Sequence, residues 1–130
     1  MRTARLIPFG TLVLVLSTVA IPIVLSARSS AQTATVKGYV LDSACAFTKN
    51  LSKPISSECA VACAKAGSPL VILAEDGTIY WPISDTASLP AKGQNDRLMK
   101  LAGQRVSAQG TVYAKGGSHA IVIEKIEAVQ

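Results

Sequence analysis

The chain has 130 residues, 49% of them apolar, and a formal net charge of +5. Three of its 13 basic residues, Arg2, Arg5 and Arg28, precede residue 32, whereas all 8 acidic residues follow it. The remainder therefore carries 10 basic against 8 acidic groups, a net +2, which excludes the clustered basic face of a nucleic-acid binder and, at this length, bounds the chain to one small domain.

Arg2 and Arg5 are followed by LIPFGTLVLVLSTVAIPIVLSA, 22 residues from Leu6 to Ala27 without a charge. Ser29 and Ala31 are small residues at the −3 and −1 positions of a cut between Ala31 and Gln32, the layout of a secretory signal. A membrane anchor needs about 20 apolar residues, so the run 6–27 also suits an uncleaved anchor, with Pro8, Gly10 and Pro22 weighing against a continuous spanning helix. Residues 1–31 are thus read as a signal peptide or N-terminal anchor, and 32–130 as the domain. The expected location is periplasmic or secreted, or, with the leader retained, anchored in the inner membrane. The sequence LDSAC lies too far past the apolar run to be a lipoprotein site.

The first predicted strand is TVKGYVLD, residues 35–42, in which Val36, Gly38 and Val40 alternate with Lys37, Tyr39 and Leu41. Gly38 inside it predicts a bulge or sharp bend. A polar loop, SACAFTKNLSKPISS, follows. Ser56 then caps a short helix, SECAVACAKAG, stopped by Gly67. LVILA is a second strand, Asp76-Gly77 a hairpin turn, and TIYWPI a third strand. After the loop DTASLPAKGQ, the stretch NDRLMKLAG predicts a second helix with Asn95 or Asp96 as cap and Gly103 as stop.

RVSAQGTVYAK, a turn at 116–118 and HAIVIEKIEAV supply strands four and five. Val106, Ala108, Val112 and Ala114 share one face of the fourth, with Gly110 among them. In the fifth, Ile121 and Ile123 face one way and Val122 and Ile126 the other. Five short strands, glycines within them and a helix between the third and fourth predict a mainly β, OB-like Greek-key barrel, with a two-layer α+β sheet as the competing architecture. The cysteine-bearing insertion between strands one and two is unusual for that fold.

GYVLDSAC, ECAVACAKAGSPLVILAEDGTIYWPI and RVSAQGTVYAKGGSHAIVIEKIEAV together resemble a group of small exported bacterial proteins with an OB-like barrel, described only as domains of unknown function. The resemblance covers nearly all of residues 36–130. Its most specific element is D-x-x-C followed by C-x3-C-x3-G, here Asp42, Cys45, Cys59, Cys63 and Gly67. It implies the barrel and the exported location and brings no activity with it. Relatives often place a His three residues before the first cysteine of the pair. This chain has Ser56 there, which weighs against a His-assisted metal role.

All three cysteines lie between 45 and 63. Cys59 and Cys63, four apart, share one helix face, and a bond between them would strain the helix. A bond from Cys45 to either would close a loop of 14 or 18 residues, for about 3 kcal/mol of stabilisation. Cys45–Cys63 with Cys59 reactive is the preferred pairing, since Cys59 falls in the first helical turn. Cys45–Cys59 with Cys63 inert in the core is the alternative. Cys45, Cys59, Cys63 and His119 match a tetrahedral zinc or Cu(I) site in number, although C-x13-C-x3-C is no recognised finger spacing and a turn His is ordinarily solvated.

Tyr80 and Trp81 are adjacent on a strand, so they point to opposite faces. With Tyr39 and Tyr113 they are the candidates for a ligand face, weighed against simple core packing. Glu75, Asp76, Asp85 and Asp96 suit turns and caps, and no nucleophile-elbow or paired-carboxylate pattern equips the chain for hydrolysis. The expectation is an exported, non-catalytic binding or interaction module, stapled by one disulfide and requiring no cofactor, with a small molecule, glycan or envelope protein as partner. The alternative is a thiol-based redox partner or Cu/Zn-binding protein using Cys45, Cys59 and Cys63.

Overall fold

The computed structural model describes residues 30–48, 56–85 and 91–130, the side chains of 91–93 excepted. The leader through residue 29, with its run 6–27, lies outside the described residues, as do Pro54 and the stretch 86–90 of the two expected loops. In chain order the elements are β1 (Ser30–Asp42), α1 (Ser43–Thr48), α2 (Ser57–Lys65), β2 (Leu70–Ala74) and β3 (Ile79–Pro82). Then come α3 (Ala91–Leu98), a 3₁₀ turn (Met99–Leu101), β4 (Arg105–Lys115) and β5 (Ser118–Ala128). No helix among the described residues is long and apolar enough to cross a membrane.

The strands close into a barrel in the order β1-β2-β3-β5-β4, antiparallel except where β3 runs parallel to β5. Closure establishes the mainly β, OB-like architecture and sets aside the two-layer sheet. β1 begins earlier than its alternation suggests, because its first residues are exposed and carry no apolar signal. It pairs with β4 over Ser30–Tyr39 and with β2 over Gly38–Asp42. Gly38 stands at the handover, opposite both Ala74 and Val106. A Cβ there would collide with the Leu73 carbonyl, so the strand can bend between two neighbours only with a glycine at that point.

The barrel interior follows the period-2 pattern. Val36 and Val40 of β1, Ile72 of β2, Val106, Ala108 and Val112 of β4, and Ile121 and Ile123 of β5 form one buried cluster, closed by Ala60 and Ala64 of α2 and Leu98 of α3. Each of the larger aliphatic side chains contributes about 1.5–3 kcal/mol by leaving water, so these positions carry the fold. One expectation fails here. Gln109 pairs with Lys125 and Gly110 with Ile123, leaving Glu124 as an extra residue in β5. That bulge shifts the alternation by one. Ile126 consequently lies opposite Ala108 and packs on the interior cluster instead of sharing the outward face of Val122.

Two helical expectations also change. Residues 43–48, expected as loop, form α1, because Asp42 accepts the Cys45 amide at 3.1 Å as a helix cap does. The helix expected from Asn95 starts at Ala91 instead, and Asn95 is no cap. It is buried and inward-facing, its Oδ1 accepting from the Leu70 amide and its Nδ2 donating to the Ser68 carbonyl, both at 2.8 Å. Asp96 is likewise inside α3 and exposed. A second, smaller apolar cluster sits outside the barrel, where α1 lays Ala46 on Leu41, Val71 and Leu73, with Tyr39, Ile79 and Trp81 at its edge.

Candidate functional site

Two places combine exposed or reactive groups with unsatisfied chemistry. The first lies between α1 and α2. Cys45 is the third residue of α1 and Cys59 the third of α2, and each has its amide accepted by the residue three earlier, Asp42 Oδ1 and Ser56 Oγ (3.2 Å). The two helix starts are thus built alike, D-x-x-C and S-x-x-C. Ser57 anchors α2 to the barrel by donating its hydroxyl to the Ala102 carbonyl. Cys63 follows Cys59 by one turn on the same helix face.

All three cysteines are free thiols, Cys59 exposed and the other two half-buried. Cys59 interacts with both Cys45 and Cys63. Asp42 is only 1% exposed and its Oδ2 has no hydrogen-bond partner of ordinary geometry. Hydrogen bonding of the protonated Cys45 thiol to Asp42, then burial, then the Asp42 charge and the neighbouring Cys59, push Cys45 from 9.0 up to about 12. Cys63 is raised too, by burial first and then by Asp42 and Cys59. Burial and the Asp42 carboxylate thus both favour the protonated form of Cys45 and Cys63.

His119 does not join them. Its ring meets that of Tyr80 at a tilt of 58°, centroids 5.5 Å apart, and it lies near Asp76. Among the described residues no three His, Cys, Asp or Glu side chains are arranged to hold a metal ion.

The second place is a groove of about 530 Å³ across β3. Its floor is Ile79 and Trp81. One rim is Phe47 of α1, and the other is formed by the β2–β3 turn (Asp76–Thr78) and the β4–β5 turn with Ser118 and His119. Phe47 is 70% exposed, the most exposed large apolar side chain described. Asp76 accepts the Thr78 amide at 2.9 Å, and that bond, helped by His119, holds its carboxyl below the usual range. The groove has no Lys or Arg in its lining.

The four aromatic candidates do not form one surface. Trp81 lines this groove, and Tyr39 sits at the edge of the outer cluster beneath it. Tyr80 turns inward to the main core and lines a separate cavity of about 290 Å³ with Lys37, Glu75 and Asp76. Tyr113 is half-buried opposite Ala31 and Ala120 and belongs to neither cavity. Phe47 is no candidate in the sequence, because the segment carrying it has the composition of a loop. The available signal was Asp42 three residues before Cys45, which marks a helix start. Comparison with protein-family models, with curated proteins and with solved structures finds no match to this chain.

Proposed function

We propose that this chain is an exported, non-catalytic binding module whose ligand seats in the groove over β3. The observation that carries the reading is Phe47, an aromatic ring left 70% exposed at the rim of a concave surface floored by Trp81. Exposed apolar groups that border a cleft with a few convergent polar groups mark ligand sites. The location agrees with the general habit of OB barrels, which bind ligands across strands two and three between the loops that follow strands one and four. Here those loops supply Phe47 and the 116–118 turn.

The lining selects among ligands. With Asp76 present and no Lys or Arg, it disfavours phosphate-bearing partners and suits a neutral ring flanked by hydroxyls, for which Asp76, Thr78, Ser118 and His119 are partners. A saccharide unit is the class that fits. Location outside the cytosol is supported by the charged start, the apolar run 6–27 and the small residues Ser29 and Ala31.

Trp81 is the single tryptophan of the chain, so its fluorescence reports on the groove directly. Titration with a panel of neutral oligosaccharides is expected to shift its emission saturably, and Phe47→Ala is expected to abolish the shift while leaving the fold intact. An unresponsive Trp81 across the panel, or a response unchanged in Phe47→Ala, would remove the groove as the site.

A further inference from the structure

We infer that the thiol cluster is a dithiol–disulfide exchange site, in which Cys59 is the attacking sulfur, Cys45 the resolving one, and Asp42 the group that sets their order. It is separate from the groove and rests on different residues. Cys45 of α1 lies against the buried Asp42 and also touches Cys59 of α2, which in turn touches Cys63, while Asp42 Oδ2 is buried with no conventional hydrogen-bond donor. A buried carboxylate oxygen without a conventional donor is costly. A role in moving the thiol proton accounts for its retention there.

The pairing follows from geometry. Cys59 and Cys63 sit one turn apart on an intact helix, about 5–6 Å between Cβ atoms, whereas a disulfide needs about 3.5–4.5 Å. Cys45 comes from a different element, α1, so a bond to Cys59 can form without unwinding α2. Cys45 and Cys63 are each coupled to Cys59 and to Asp42, and neither to the other.

The co-substrate class is a disulfide R–S–S–R, for which oxidised glutathione is the probe. Cys59, exposed and in the first turn of α2, loses its proton to solvent and attacks one glutathione sulfur. The Cys59–glutathione bond forms, the glutathione S–S bond breaks, and the first glutathione leaves as a thiolate that takes a proton from water. Cys45 Sγ then attacks Cys59 Sγ while its proton passes to Asp42 Oδ2 and on to solvent. The Cys45–Cys59 bond forms and the second glutathione leaves and is protonated. Two protein thiols are oxidised and one disulfide is reduced. Cys59 is exposed whereas Cys45 is half-buried against Asp42, so Cys59 meets the disulfide first and Asp42 holds the Cys45 proton until the second step.

The test is to expose the full-length protein to oxidised glutathione, quench with acid, alkylate, and map the cysteines by peptide mass spectrometry. The wild type is expected to yield a Cys45–Cys59 bond with little persistent adduct. Cys45→Ser should accumulate glutathione on Cys59, Cys59→Ser should lose both adduct and crosslink, and Cys63→Ser should behave as wild type. Asp42→Asn keeps the helix cap but removes the charge, and it should gain a direct glutathione adduct on Cys45; Asp42→Ser, which also caps, controls for the amide. A Cys45–Cys63 bond, an inert Cys59 in the folded protein, or no Cys59 adduct in Cys45→Ser would overturn the exchange site. Absence of Cys45 adduct in both Asp42 variants, with circular dichroism unchanged, would overturn the role given to Asp42.

Discussion

Asn95 offers a quantitative test of how the barrel is held. It is 6% exposed and sits between α3 and the start of β2, where one side-chain amide satisfies two backbone groups, the Leu70 N–H and the Ser68 carbonyl. Replacing it with Ala strands both. A buried backbone group left without a partner costs about 1–3 kcal/mol. Leu70 is 2% exposed, so its amide stays dry and takes the upper half of that range, while the part-buried Ser68 carbonyl takes the lower. The expected loss is about 4 kcal/mol, a large share of the roughly 5–15 kcal/mol that stabilises a small domain. At about 4–8 °C per kcal/mol for a domain of this size, Tm should fall by about 16–32 °C. Urea unfolding of the two proteins measures it, with an unchanged m-value showing that the native surface is intact. Asn95→Asp keeps the acceptor for Leu70 and loses the donor to Ser68, so it too should destabilise. A loss below about 1 kcal/mol for Asn95→Ala, or an Asp variant as stable as the wild type, would refute this account of the α3–β2 junction.

Gly110→Ala should destabilise more than an ordinary strand substitution, by about 3 kcal/mol or more, because the new Cβ meets the Val122 carbonyl across the bulge; chemical denaturation reads it. Stability should fall as pH rises from about 9, because the folded state holds the Cys45 proton up to about 12 and the unfolded chain releases it near 9.0. The contribution is fully present below 9 and lost through that window, and the decline should be shallower in Asp42→Asn. Oxidation that joins Cys45 to Cys59 should raise stability by about 3 kcal/mol, the value for closing a loop of about 15 residues, and reductant should reverse it.

Much of the barrel was legible because strands are local objects. Val36, Gly38 and Val40 face inward as their alternation says, and so do Val106, Ala108 and Val112. Ser56 and Gly67 bound α2 by capping chemistry written within a few residues. α1 was hidden because SACAFT has no apolar period, and Phe47 was hidden with it. Ile126 was misplaced because one extra residue at Glu124 inverts every face beyond it, and such a shift leaves no mark in composition. Asn95 read as a cap because Asn at a helix start is common, whereas its partners are 25 and 27 residues away.

The sequence by itself determined the five strands, the glycines where backbones meet, and the presence of three sulfurs near one helix, all features set by neighbours along the chain. Only the tertiary structure decided that Cys59 touches both Cys45 and Cys63, that the Asp42 carboxyl is buried beside Cys45, and that Phe47 and His119 border one groove with Trp81. Those placements depend on barrel closure, which brings the first connection, the β2–β3 turn and the β4–β5 turn to the same side. Contacts across such separations are fixed by packing and cannot be inferred from spacing.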